Sequence, residues 1–299
     1  MNNLKVHPEK AFIVIFLALF LVWSIGMSCV SAQTATEVFP AVVYLQGHSG
    51  PQRLTIAERE GDLWVKYNGE DHPEPVMSRM SGSGFITQAD DRLYLVTAEH
   101  VARGVGQDTE VILRGPNDTP LLYRLSDLVL SKPPKWIYHE IADVAVVALA
   151  PPPDFHAAIK AVNIAQIADS LVAPDIELYL TTIGFPLSLG LTGMFSPIVK
   201  TSHSASGIFR HKRFDNNKET DFYILEDPSV AGFSGALVVK LPSVRVGAMR
   251  SSQGTFECVG LVHGTFNDPT GGKFAAIVPG AYIRETILLA AQQSKPAQE

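Results

Sequence analysis

Cysteine is nearly absent: the 299 residues hold two, Cys29 and Cys258. Cys29 lies in the apolar N-terminal segment, so a chain cut after that segment has one thiol and no internal disulfide. A chain this long buries enough apolar surface to fold without one. Cys258, in "FECVGLVHG", is expected as a small buried apolar side chain in a strand. With one cysteine left, no clustered histidines and no His-Glu-x-x-His helix, a zinc site lacks its donor set. No metal or other cofactor is expected. Basic runs are equally scarce, and the formal net charge is −6. The short patch "RHKR" (Arg210–Arg213) is followed at once by Asp215, Glu219 and Asp221. It is expected as a solvated loop, which leaves no nucleic-acid groove.

Long apolar runs occur once. Lys5 and Lys10 precede an unbroken apolar stretch from Ala11 to Trp23, and small and polar residues ending "CVSAQT" follow. A basic start, an apolar core and small residues before a cut describe a secretory signal, with Val30 and Ala32 three and one positions before cleavage ahead of Gln33. Uncleaved, residues 11–30 are long enough to span a bilayer as an anchor. Either reading places the rest of the chain outside the cytoplasm, secreted or periplasmic. Contact with a membrane is expected only if the segment stays attached. Lipid attachment at Cys29 is disfavoured by Gly26 three places before it.

The remainder reads as short strands punctuated by glycine and proline. "AVVYLQ", "RLTIAE", "LWVKY", "SGFIT", "RLYLVT", "EVILR" and "DVAVVAL" lie before the proline run of "APPPDF", which cannot continue a sheet interior. "IELYLTTIG", "FYILE", "GALVVK", "FECVGLVHG" and "KFAAIV" lie after it. Pro279 then opens a segment whose Ile283, Ile287 and Leu288 recur with helical spacing. The expected organisation is a leader (1–32), a first β-barrel (33–153), a second β-barrel (154–278), and a C-terminal helix and tail (279–299).

Three motifs carry candidate chemistry. In "AGFSGAL" (Ala231–Leu237) a serine, Ser234, sits in a glycine-rich turn before an apolar strand. A serine hydroxyl is a poor nucleophile unless a base takes its proton, and the base works best when a carboxylate holds its tautomer. "LVTAEHVA" offers the base, His100, where a strand ends and a helical turn begins. "HEIADVAVVAL" offers the carboxylate, Asp143, at the mouth of an apolar strand where an unpaired charge is costly. The order is His100, Asp143, Ser234.

That order and these motifs resemble the trypsin/chymotrypsin-like serine peptidases, especially the bacterial disulfide-poor branch that includes exported heat-shock proteases. The resemblance runs from about Ala41 to the C-terminal helix and includes "SGSGFIT", "TAEHV", "ADVAVV", "TIGFP", "AGFSGAL", "VGLVHG" and "FAAIVP". It implies an all-β fold of two six-stranded antiparallel barrels with a C-terminal α-helix, and a serine endopeptidase acting on polypeptides through an acyl-enzyme. His100 is then general base and acid, Asp143 orients it, and Ser234 attacks. The N–H groups of Gly232 and Ser234 form the oxyanion hole. Ser229, Val262, His263, Gly264 and Ala275 line the substrate pocket.

The sequence departs from the family at three places. Phe233 stands where aspartate or asparagine is common, which removes the switch that pairs that aspartate with a freed amino terminus. Ala236 and Leu237 replace a glycine and a proline. His263 stands where a small polar residue is usual, and three readings are open: support of Asp143, a pocket for an acidic side chain, or packing within the strand. With Pro228 and Ser229 at the expected pocket base, small or apolar substrate side chains fit better than basic ones. A non-catalytic binding protein on the same fold is the alternative. An α/β-hydrolase is disfavoured because its histidine and acid follow the serine.

Overall fold

The computed structural model describes residues 38–52, 54–59, 62–67, 76–106, 109–152, 155, 159–242, 244–246, 249–251 and 255–294. The expected leader or anchor lies outside the described residues. The first half holds β1 (Val42–Gln52), β2 (Leu54–Arg59), β3 (Asp62–Tyr67), β4 (Val76–Ala89) and β5 (Arg92–Thr97). Helix α1 (Glu99–Gly104), β6 (Glu110–Arg114), β7 (Pro120–Arg124) and the one-turn α2 (Leu125–Leu128) follow. Then come β8 (Ile137–Tyr138), β9 (Ala145–Ala148) and β10 (Val162–Asn163).

The second half holds β11 (Tyr179–Gly184), β12 (Ile198–His203), β13 (Phe209–Lys212), β14 (Glu219–Leu225) and β15 (Leu237–Lys240). It continues with β16 (Val244–Val246), β17 (Met249–Ser251), β18 (Glu257–Asn267), β19 (Lys273–Pro279) and helix α3 (Gly280–Gln293). Segment Pro242–Gly254 groups apart from the main body and carries the antiparallel pair β16–β17.

Two sheets make the main body. One runs β7-β6-β1-β4-β5-β9-β8, with β10 added in parallel to β4; the other runs β12-β11-β15-β18-β19-β14-β13. Among the described residues these are eight and seven strands, more than six each, because short edge pieces such as β8 and β10 are added. The pairings along both paths are antiparallel. β2 and β3 form a separate hairpin. First-sheet pairing continues past the prolines at 151–153, since β10 still joins β4.

Most of the apolar runs read from the sequence whose burial is described are core strands. Val42, Val43, Leu45, Phe85, Val96, Val146, Leu237, Val239 and Leu261 pack in one core that also takes Ile283, Ile287 and Ala290 of α3. Leu180, Tyr223, Phe233, Ala236, Val238, Val262 and Ile277 pack in a second. The α3 stripe differs from the expected one at a single position: Ile283 and Ile287 are fully buried, but Leu288 is 46% exposed. The inward stripe is completed by Ala290, which lies one turn beyond Thr286. Cys258 is buried in β18 as expected, and burial pushes its thiol up to about 12.

Candidate active site

The candidate base and acid meet at the end of the first sheet. β5 stops at Thr97, Ala98 stays extended, and α1 begins, so His100 sits in the helix's first turn with its main-chain N–H free of intrahelical partners. Asp143 supplies the partner: its Oδ1 accepts from His100 N at 3.0 Å, and its Oδ2 lies 2.7 Å from His100 Nδ1. An ionised carboxylate only accepts, so His100 Nδ1 carries a proton, and in the neutral imidazole the lone pair is on Nε2.

Asp143 is fully buried and takes two further hydrogen bonds. His263 Nδ1 stands 2.5 Å from Oδ2, and Arg213 Nη2 donates to Oδ1 at 3.0 Å. Burial alone would raise the Asp143 pKa. The charge and hydrogen bond of His100, then those of His263, outweigh it and hold the carboxyl well below the usual carboxylate range.

Arg213 is itself fully buried and was not legible as such: the patch expected to be a solvated loop holds the exposed end of β13, and the basic residue just after that strand turns inward. Its guanidinium also binds Glu99 Oε2 at 2.7 Å, Asp215 at 2.9 and 2.6 Å, and the Ile141 carbonyl at 3.3 Å. A guanidinium with five rigid N–H donors suits this many fixed acceptors, where a lysine would not. Lys218, on the same hairpin, reaches the Glu140 carbonyl at 3.1 Å. The tip of β13–β14 thus ties the second sheet to the loop that carries Asp143.

Ser234 lies on a turn built by two glycines with left-handed backbone, Gly232 (φ +94°) and Gly235 (φ +80°). A side chain at Gly235 would come within 2.2 Å of the Ser83 carbonyl, and one at Gly232 within 2.7 Å of the Phe185 carbonyl. The turn is held from behind. Ser83 N donates to Ser234 O at 2.8 Å, and Ser83 Oγ donates to Gly232 O at 2.7 Å while accepting from Phe185 N at 2.9 Å.

The Ala231 carbonyl accepts from Leu187 N at 2.8 Å; Leu187 and Ser188 themselves have positive φ. In a trans peptide C=O and N–H point opposite ways, so pinning the Ala231 oxygen aims the Gly232 N–H away from Leu187. Neither the Gly232 nor the Ser234 N–H has an acceptor among the described residues. Phe233 is buried in the second core, and its N–H binds the Val230 carbonyl at 3.0 Å.

The Ser234 hydroxyl donates to the His263 main-chain oxygen at 3.3 Å. The His263 ring, one of the expected pocket residues, is fully buried, turned to Asp143, and stacked between Phe214 (4.1 Å) and Phe222 (5.1 Å). Its Nε2 has no hydrogen-bond partner among the described residues. Ser229 is bridged through its carbonyl to Thr265 Oγ1 at 3.0 Å. Val262 and Ala275 pack in the second core, and Gly264 lies beneath Phe214.

His100, Asp143 and His263 bring three donor atoms within 4.8 Å of one another. Two ligands on one zinc ion stand about 2.0–2.2 Å from it, hence roughly 3.3 Å apart in a tetrahedral site. Gaps of 2.7 and 2.5 Å fit shared protons.

No protein-family model matches the chain, and no curated protein does. Solved structures do. A serine-to-alanine variant of the HtrA-type protease AlgW with a tripeptide superposes with a TM-score of 0.50 at 14% identity, covering 85% of this chain and 61% of that one. An inactive-form serine-to-alanine mutant of Rv3671c from M. tuberculosis H37Rv gives 0.48 at 11% identity over 91% and 96% of the two chains. Human heparin binding protein gives 0.48 at 9% identity over 87% and 95%. The chain spans about three fifths of the AlgW chain. The fold is therefore the chymotrypsin-like arrangement of two antiparallel sheets with a C-terminal helix.

Proposed function

We propose that this chain is a serine endopeptidase that cleaves polypeptides through an acyl-enzyme. The observation that carries the reading is the His100–Asp143 pair, together with a serine on a two-glycine turn whose hydroxyl meets the main chain of His263, the residue whose ring stands 5.7 Å from that of His100. In the mechanism, Ser234 Oγ gives its proton to His100 Nε2 as it attacks the scissile carbonyl, and Asp143 offsets the imidazolium charge. The N–H groups of Gly232 and Ser234, which lack other acceptors, receive the oxyanion. His100 then protonates the leaving amine, and water attacks the acyl-serine by the same route in reverse. The hydroxyl must leave the His263 carbonyl for this, a contact that favours the second reading, a non-catalytic protease-fold binding protein.

Labelling of the purified full chain with a fluorophosphonate, beside Ser234→Ala and His100→Ala, tests the two. An adduct at Ser234 in the wild type alone supports the peptidase. No adduct on folded wild-type protein overturns it in favour of the binding protein.

Export, by cleavage ahead of Gln33 or with residues 11–30 retained as an anchor, rests on the basic start and apolar run. No helix among the described residues is long and apolar enough to cross a membrane. The division into a first body to 153 carrying base and acid and a second to 278 carrying the serine is the domain reading that goes with this mechanism.

A further inference from the structure

Phe214 is an exposed aromatic side chain beside the candidate chemistry. More than half of it is open to solvent (56%), yet its ring stands edge-on to His100 at 5.3 Å and lies on His263 at 4.1 Å. The space it fills exists because residue 264 has no side chain: a Cβ at Gly264 would fall 2.5 Å from Phe214 Cε1. The residues on either side of Phe214 anchor the ring, since Arg213 and Asp215 are joined to each other and Arg213 to Asp143 and Glu99. An apolar ring held rigidly beside a reactive histidine, with one face in water, has what a binding hot spot needs: large area and little entropy left to lose.

The direction of β18 indicates which part of a substrate meets it. β15 covers one edge of β18 only between Glu257 and Leu261; from His263 onward that edge has no strand partner among the described residues. The open edge starts beside Ser234, whose hydroxyl touches the His263 carbonyl, and runs to Asn267. A peptide added antiparallel, as every neighbour of β18 in its sheet is, runs back toward Ser234. Its residues before the scissile carbonyl then lie along Gly264 and beyond, under Phe214.

Resting on the peptidase reading, we infer that Phe214 is a specificity-determining residue that selects an apolar side chain on the acyl side of the scissile bond, at the residue preceding the one whose carbonyl is attacked. Asp and Gly there leave the Phe214 face wet, and Leu or Phe covers it.

The test uses the full chain and peptidyl phosphonates that differ only at the second residue from the phosphonate: Gly, Asp, Lys, Leu or Phe. Leu and Phe members are expected to modify Ser234 about tenfold faster than Gly and Asp members, the range one apolar contact commands. Phe214→Ala brings that ratio below about twofold, and Phe214→Leu leaves it between the two, the graded loss expected when apolar area shrinks stepwise. If Phe214→Ala does not fold, the Leu variant decides. Equal or absent modification across the series in the wild type, or a ratio that survives both substitutions, overturns the inference. That failure is distinct from failure of the peptidase reading, which is absence of any fluorophosphonate adduct on the wild type.

Discussion

His100 and His263 approach the same oxygen of Asp143, at 2.7 and 2.5 Å, from opposite halves of the chain. On the proposed reading the second imidazole is a positioning group, its Nε2 buried and without a hydrogen-bond partner among the described residues. Removing it in His263→Ala leaves Asp143 Oδ2 with one donor and opens a void between two phenyl rings. The expected result is a fall in kcat of about 10–100-fold, the worth of one hydrogen bond to a charged group, with KM little changed. Steady-state kinetics across pH checks it. An equal loss in KM would mean that the residue serves binding instead.

Arg213→Met should destabilise the protein by about 3–5 kcal/mol, because it removes a buried cationic partner from three carboxylates at once, leaving Glu99 with Arg103 and Asp143 with the two histidines. Urea unfolding reads the change, and Arg213→Lys should recover only part of it. A loss below about 1 kcal/mol, the worth of an ordinary surface pair, would show that the pairs do not hold the two sheets together.

Ser83→Ala removes the hydroxyl that donates to the Gly232 carbonyl and accepts from Phe185. The peptide beside the proposed oxyanion donor loses its tether, so kcat is expected to drop by about 10²-fold, comparable to loss of one oxyanion-hole donor, with KM within about twofold. Stopped-flow acylation separates this from slow deacylation. Equal falls in both steps fit a damaged oxyanion site; a KM effect alone does not.

Asp143 links stability to acid. Its folded pKa is depressed relative to an unfolded value of about 3.9, so its contribution is fully present above that value and is lost as pH falls toward the folded pKa. Between about pH 5 and pH 2, wild-type stability should fall more steeply than that of Asp143→Asn, which lacks the titrating group. Urea midpoints across that range test the difference, and parallel curves would contradict it.

The Cys258 thiol, pushed up to about 12 by burial, should not react with iodoacetamide at pH 8 in the folded protein and should react once urea unfolds it. The sign for stability is opposite to that of Asp143. A thiol whose folded pKa is raised costs stability as pH climbs above its unfolded value of about 8.5, because only the unfolded chain ionises there. Cys258→Ala should flatten that alkaline limb.

The strands are legible, and the three side chains proposed to react stand out, because each sits in its own local pattern: a short apolar run, a glycine turn, a polar residue at a strand mouth. β6 lies where "EVILR" was read, and β19 covers "KFAAIV". What escaped were groups whose meaning depends on distant partners. Arg213 looked solvated among basic neighbours, yet its acceptors Glu99 and Asp143 lie 114 and 70 residues away. The Ser83 hydroxyl was one polar atom in a strand motif until the Gly232 carbonyl met it. His263 carried three readings, and only its ring direction separates them. Short or exposed strands such as β10 and β13 lack the alternation that marks a half-buried edge.

The Ser83 bond to Gly232 joins residues 149 apart, and the candidate base and acid, 43 residues apart, both lie far before the candidate serine. Contacts of such separation are paid for in loop entropy and form late. A chain emerging from the ribosome displays His100 and Asp143 long before Ser234 exists, and Ser234 before α3 closes the core. Any hydrolytic power therefore switches on only once both sheets and α3 have been made and packed together. Dispersed assembly is its own safeguard for the cell that makes it.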